Sequence, residues 1–277
     1  MNIDFWKMHG AGNDFILIDD REGGFPADDP QLIAEMARRR TGIGSEGLIL
    51  IQRSGEADLR MRFFNPDGGE VEMCGNGARC FARLAFDLGA APRAMEFETV
   101  AGRLGAEVLE DGSVRLRMTE PSGWVLDGRL EVEGEELRYD FVNTGVPHVV
   151  LTVEDLDDVD LEGTGAAVRY HPQFAPAGTN VNFMQGCDGN TLCVRTYERG
   201  VEGESGACGT GIVACGLTAA RHGLTSLPVT VRAGSGDLLE VDRREENECG
   251  PRVTLTGPAV YVYRGRWRPS PRQNKHF

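Results

Sequence analysis

Two short stretches of the 277-residue chain could do chemistry together: MCGNGARC at 73–80 and ACGTGIVAC at 207–215. Each places a cysteine, Cys74 or Cys208, directly before Gly-x-Gly. A helix N-terminus leaves backbone N–H groups without partners and carries a partial positive charge. It therefore attracts anions and favours a thiolate over a thiol. Glycines at 75, 77, 209 and 211 let a ligand approach the backbone closely. Two such ends meeting one α-amino acid would both donate to its carboxylate and put a sulfur on each face of Cα. A thiolate then takes the α-proton from one face while a thiol delivers a proton to the other, and the centre inverts. Amides aimed at the carboxylate stabilise the carbanion-like transition state, and exclusion of water keeps the thiolate basic.

The usual route to such an inversion runs through pyridoxal phosphate on a lysine. Here the only lysines are Lys7, in a first predicted strand, and Lys275, in the tail. Neither looks like a buried Schiff-base lysine, so the sequence favours two-base chemistry with no cofactor. A cysteine hydrolase would need one nucleophile and would leave the second motif unexplained. A reading from another class is a non-catalytic amino-acid-binding or thiol-redox protein. The other cysteines, Cys80, Cys187, Cys193, Cys215 and Cys249, read as small packed hydrophobes. Seven cysteines without an export signal predict free thiols rather than a disulfide framework. No Cys-x-x-Cys occurs, so no metal site is expected.

Composition bounds the alternatives. Forty per cent hydrophobic and 26% charged residues describe a globular chain. A net charge of −14 repels phosphate backbones and argues against nucleic acid as a partner. No apolar run reaches membrane-spanning length and no signal-peptide core opens the chain, which leaves the cytoplasm by default. The basic, proline-broken end at 269–277 reads as a disordered tail.

The elements that must position the cysteines are legible as repeats. Apolar runs at 15–19, 47–52, 59–64, 94–100 and 114–118 read as strands, as do runs at 137–145, 148–153, 180–185 and 192–198. Helical patterns lie at 30–40, 75–88 and 207–222, the last two stopped by Gly89 and Gly223. Each half thus has many strands and one small-residue-rich helix that starts at Cys-Gly-x-Gly. This predicts an α+β chain of two pseudo-symmetric domains. The boundary is expected near 118–123, giving domains at 1–120 and 121–257, with final strands at about 258–268 returning to the first.

With these motifs in place, the chain resembles the diaminopimelate epimerase family over about residues 3–265. KMHGAGNDF (7–15) is similar to the family's opening, and FFNPDGGEVEMCGNGARC (63–80) and YERGVEGESGACGTG (197–211) to its two active-site signatures. GVPH (145–148) and GTNVNF (178–183) are similar to two further landmarks. The resemblance implies two domains, each a barrel-like sheet around a central helix, with the active site in a cleft between them. It implies a cofactor-independent isomerase of lysine and peptidoglycan synthesis, with Cys74 and Cys208 as the acid/base pair. By the same match, Asn13, Asn65 and Asn180 would contact substrate. Gly75, Asn76, Gly209 and Thr210 would hold the reacting carboxylate. Glu198 and Arg199 would hold the far end, and His148 and Glu198 would assist near the thiols. A small-molecule substrate is the expected partner, and a homodimer is compatible with the family.

Read by residue type alone, the asparagines could equally be turn residues and His148 a packed strand residue. Arg199 suits a bidentate grip on a second carboxylate. GAGNDF lacks a complete dinucleotide-loop pattern. Three departures from the family bear on the substrate's far end. Glu46 and Gly47 stand where an Asp-Gln pair is usual, Val146 replaces an asparagine, and about one extra residue separates Arg199 from Cys208. They keep open a racemase of another amino acid, such as histidine.

Overall fold

The computed structural model describes residues 2–245 and 251–269. Cys249, Lys275 and the tail from 270 onward lie outside these residues. The chain forms two compact units. One runs to Val108 and resumes at Ala259; the other runs from Leu109 to Pro258.

The first unit contains β1 (Ile3–Gly10), β2 (Asn13–Asp19), α1 (Pro30–Ala37), β3 (Gly47–Gln52), β4 (Leu59–Phe64), β5 (Glu70–Val71), α2 (Gly75–Asp87), β6 (Ala94–Thr99) and β7 (Gly102–Val108). The second contains β8 (Val114–Arg117), β9 (Ser122–Val132), β10 (Glu135–Asn143), β11 (Pro147–Thr152), α3 (Leu161–Arg169), β12 (Asn180–Gly186), β13 (Thr191–Glu198), β14 (Gly203–Ser205), α4 (Gly209–Arg221), β15 (Val229–Arg232), β16 (Leu238–Glu245) and β17 (Pro251–Gly257). The last strand, β18 (Val260–Trp267), pairs with β1 and so belongs to the first unit.

The internal repeat is explicit in the pairing. In the first unit the order is β18-β1-β2-β3-β4-β6-β7, with β2/β3 and β4/β6 parallel and β5 also on β4. In the second it is β9-β10-β11-β12-β13-β15-β16-β17-β8, with β11/β12 and β13/β15 parallel and β14 also on β13. In each unit one helix spans the first parallel crossover and a second spans the next. The break at Val108 and Leu109 falls ahead of the 118–123 expected from sequence. The reason is β8, which pairs with β17 rather than with any strand of the first unit.

The second helix of each unit is enclosed by its own sheet. α2 packs against β1, β2, β3, β4 and β7, and α4 against β10, β11, β12, β13, β15 and β16. An enclosed helix must be small on most sides. A Cβ added at Gly216 of α4 would lie 3.0 Å from Val241 Cβ, so a larger residue there would push the sheet open. The strands between two helices are buried on both faces. In β3, Leu48 and Leu50 join the cluster that packs under α1, while Ile49 and Ile51 are buried on the alternate face. This is why GLILIQ reads as one apolar run rather than an alternation.

The helix predicted at 30–40 stops at Ala37. Asp29 caps its start by accepting from Leu32 N–H, and Pro30 fits its first turn. At its end Gly42 N–H bonds to Arg38 O, Ile43 and Gly44 N–H to Met36 O, and Ser45 N–H to Ala37 O. The GIG loop thus satisfies the helix's orphan carbonyls. Arg39, just past the end of the helix, reaches Asp14 at 2.8 Å.

The helix α3 has no counterpart in the sequence reading, because Gly163 and Gly165 interrupt its pattern. Asp160 caps it through Gly163 N–H, and a Cβ at Gly165 would lie 2.7 Å from Tyr197. The expectation of free thiols throughout is also corrected: Cys187 and Cys193 form a disulfide. They sit at the mouth of the β12–β13 hairpin, where Cys187 N–H bonds to Thr191 O and Gln185 pairs with Cys193. Both are partly exposed, and Cys193 packs against the hydrophobic cluster of the second unit.

Candidate active site

Cys74 is the residue that opens α2, with extended backbone (φ −132°, ψ 123°) and its carbonyl accepting from Ala78 N–H. Its thiol donates to Asn13 Oδ1 at 3.6 Å, and Asn76 Nδ2 donates to the same oxygen at 3.4 Å. The orientation of this cluster is fixed from below. Arg79, fully buried one turn into α2, donates to Asn76 Oδ1 at 2.8 Å. A guanidinium only donates, so Asn76 must turn its nitrogen to Asn13, and Asn13 must turn its oxygen to Cys74. Gly10 has no room for a side chain: its Cβ would lie 2.8 Å from Asn76 O.

Asn13 begins β2 and is held through its neighbour. Asp14 pairs with Lys7 at 2.6 Å and with Arg39 at 2.8 Å. Lys7 is buried, contrary to its sequence reading, and its ammonium also donates to Gly44 O. Burial lowers the Lys7 pKa. For Asp14, burial works upward, but hydrogen bonds from Arg39 and Lys7 outweigh it and hold the carboxyl below its ordinary value. Asn65 stands at the turn from β4 to β5, where its N–H bonds to Gly69 O and its carbonyl accepts from Gly68 N–H.

Cys208 opens α4 in the same way (φ −94°, ψ 105°), with its carbonyl accepting from Ile212 N–H. Its sulfur lies 3.6 Å from Thr210 Oγ1, which lies 2.9 Å from His148 Nε2. Thr144 Oγ1 donates to Thr210 O at 2.9 Å and ties the loop before β11 to the start of α4. His148 is fully buried; burial, with the nearby Arg199 charge, pushes its pKa down to about 3. The ring is therefore neutral near pH 7 and does not titrate near the ordinary histidine value of about 6.5. The pH profile of kcat/KM is expected to rise with thiolate formation and to show no histidine limb. A limb near neutrality that disappears in His148→Gln would contradict this.

Asn180 bridges the far part of the second set: its Nδ2 donates to Pro147 O at 3.1 Å and its Oδ1 accepts Arg199 N–H at 2.9 Å. Arg199 Nη1 donates to Ala177 O at 3.3 Å. Glu198, at the end of β13, has its pKa raised by burial. Cys80 and Cys215 are buried thiols deeper in the two helices. Burial pushes Cys80 up to about 12 and Cys215 up as well. Neither suits a base.

The structure therefore gathers Asn13, Cys74, Gly75 and Asn76 in the first unit. In the second it gathers His148, Asn180, Glu198, Arg199, Cys208, Gly209 and Thr210. Sequence reasoning missed Arg79, Thr144 and Asn182. The period of a strand held the signal for Asn182, since it shares a face of β12 with Asn180. Gly47 also gains a reason. A Cβ there would lie 2.3 Å from the Phe63 ring and 2.9 Å from Phe64 O, so this chain has no space for a glutamine at that position.

The family model described as diaminopimelate epimerase matches residues 5–124 and 141–262. Diaminopimelate epimerases of Aquifex aeolicus and Chlorobaculum tepidum are 43% and 44% identical to this chain. Those alignments cover 95% and 93% of it, and 97% and 98% of the relatives. Among solved structures, a phenazine biosynthesis protein of the PhzF family from Bacillus anthracis has a TM-score of 0.72 at 19% identity, over 97% of this chain and 100% of its own. A hydroxyproline epimerase from Agrobacterium vitis, solved with trans-4-hydroxy-L-proline, has a TM-score of 0.66 at 19% identity, over 96% and 92%. At these identities the structural likeness is one of fold. Among the described residues, no helix is long and apolar enough to cross a membrane.

Proposed function

Because the chain belongs to the diaminopimelate epimerase family, we propose that it inverts the α-carbon of diaminopimelate, interconverting the LL and meso forms in lysine and peptidoglycan synthesis. One observation carries the mechanism: each unit opens its enclosed helix with a cysteine at the N-cap followed by Gly-x-Gly. One sulfur, as thiolate, takes the α-hydrogen as a proton, and the electron pair it leaves behind delocalises into the carboxylate. The other sulfur, as thiol, returns a proton to the opposite face. The N–H groups of Gly75, Asn76, Gly209 and Thr210 and the two helix dipoles meet the carboxylate as its charge grows.

Asn13 and Asn65 would serve the substrate from the first unit and Asn180 from the second. Arg199, backed by Asn180 and Ala177, would grip the distal carboxylate, with Glu198 beside it. His148 supports Thr210 next to Cys208. The cytoplasm, where such thiols stay reduced, is the compartment this reading implies.

Solvent-deuterium uptake at Cα across a panel of amino acids tests the substrate. Diaminopimelate is expected to exchange, and histidine and other monocarboxylate amino acids to stay unlabelled because they give Arg199 nothing to grip. Exchange confined to another amino acid would overturn the assignment and give Gly47 and Val146 a role in a different specificity.

A further inference from the structure

The hydrogen-bond partners of His148 end in Asn182, a residue inside the GTNVNF stretch to which the sequence assigned no role. Its amide can be oriented from its neighbours alone. Nδ2 lies 2.8 Å from Val149 O, which only accepts, so that atom must be the nitrogen. Oδ1 accepts from Thr196 Oγ1 at 3.0 Å. The second hydrogen on Nδ2 then faces His148 Nδ1 at 3.1 Å. The amide is also pinned from the helix side. A Cβ at Gly211, in the first turn of α4, would lie 2.2 Å from Asn182 Oδ1. The start of the cysteine-bearing helix is thus built directly onto this side chain. Asn182, His148, Thr196 and Gly211 are all buried.

We propose that Asn182 is a positioning residue that locks neutral His148 as its Nε2–H tautomer and so aims the Thr210 hydroxyl hydrogen at the Cys208 sulfur. The logic is a sequence of single choices. Nδ1 receives a hydrogen from Asn182, so it holds a lone pair. The ring proton therefore sits on Nε2 and is donated to Thr210 Oγ1 at 2.9 Å. Thr210 Oγ1 has then accepted, and its own hydrogen is left to donate toward Cys208 Sγ at 3.6 Å. A thiolate gains a donor on the protein side while the helix N-terminus supplies its dipole. No proton leaves His148 in this scheme; the ring works through its tautomer. The charged group felt by the ring is Arg199, which holds it neutral together with burial.

The inference rests on Cys208 as an acid/base group, and its deciding readouts, the His148 tautomer and the reactivity of the Cys208 thiol, use no substrate, so it fails or stands separately from the choice of amino acid. Long-range proton–nitrogen NMR of the wild-type protein, with the His148 signals identified by their loss in His148→Gln, is expected to show only the Nε2–H tautomer. An Nδ1–H ring would overturn the proposal. Asn182→Leu keeps the shape of the side chain and removes the donor. It is expected to end the exclusive tautomer and to slow iodoacetamide modification of Cys208 at neutral pH about tenfold, with Cys74 unchanged. It should also lower kcat about tenfold with little change in KM, the fold-change that one pKa unit of lost thiolate stabilisation would give. Unchanged tautomer and unchanged Cys208 reactivity would overturn it. Should Asn182→Leu not fold, the wild-type tautomer still decides, together with a second pair. Thr210→Val should slow the modification of Cys208 and Thr210→Ser restore it; equal rates in the two would overturn the proposal.

Discussion

Alanine in place of either Cys74 or Cys208 is expected to lower kcat/KM for epimerisation about 1,000-fold or more, within the range that a positioned acid or base contributes. The size follows from symmetry of need. Each direction of the reaction requires one sulfur to remove a proton and the other to supply one, so neither variant keeps a working direction. The loss should appear in kcat rather than in binding, because truncation to Cβ leaves the N–H groups of Gly75 and Asn76, or of Gly209 and Thr210, in place at the helix starts. Calorimetry should therefore show substrate affinity within a few-fold of wild type. The buried thiols serve as the control: Cys80→Ala and Cys215→Ala remove only packing and should leave turnover nearly unchanged in protein that folds. A Cys74→Ala or Cys208→Ala enzyme that retains a tenth of its activity would show that one thiol suffices. Unaltered binding with no turnover in the wild type as well would favour a binding protein.

The second large effect is on stability. Lys7→Met is expected to destabilise the protein by about 3 kcal/mol, the low end of the cost of breaking a buried ion pair. The Lys7 and Asp14 side chains are 7% and 19% exposed, so water cannot replace the lost partner well. Arg39 remains on Asp14 and keeps the cost from rising further. Gly44 O loses its donor at the same time, which loosens the loop that closes the end of α1. In chemical unfolding the midpoint should fall with the slope unchanged. The sign of the pH dependence is fixed by Asp14. Its carboxyl is held below its unfolded pKa of about 3.9, so the pair's stabilisation is complete above that value and is lost as pH falls through the lower folded value. The gap between wild type and Lys7→Met should therefore narrow in acid. A variant whose midpoint equals that of the wild type at neutral pH would mean that Lys7 is only packed there.

Much of this was legible because the repeat is written in residue type. Cys-Gly-x-Gly occurs twice, and in both places the helix begins at the glycine and the cysteine caps it. The glycines that stop α2 and α4, Gly89 and Gly223, both take positive φ, as the sequence pattern requires of a helix stop. What stayed hidden depended on tertiary partners. Nothing local distinguishes Lys7 in a strand from an exposed lysine; its burial follows from Asp14 and from Gly44, which is far along the chain. The α3 helix hides behind glycines whose need is set by Tyr197. The Cys187–Cys193 bond depends on where a hairpin closes, which cysteine count cannot reveal. The membership of β8 in the second unit depends on β17, the better part of the unit away. Arg79 and Asn182 read as ordinary helix and strand residues until their partners are known.

The central claim is that two sulfurs, not one, carry the α-hydrogen's exchange. The direct measurement is the place of label early in the reaction in D2O, run from each isomer of diaminopimelate in turn. A thiol holds a single proton, and the sulfur that gives is not the sulfur that took. The product isomer should therefore carry deuterium at Cα from the first turnovers while the unreacted substrate keeps protium, in both directions. Substrate and product that gain deuterium together from the start, or a product that keeps the original hydrogen, would mean that one base serves both faces, and the two-sulfur mechanism would be wrong.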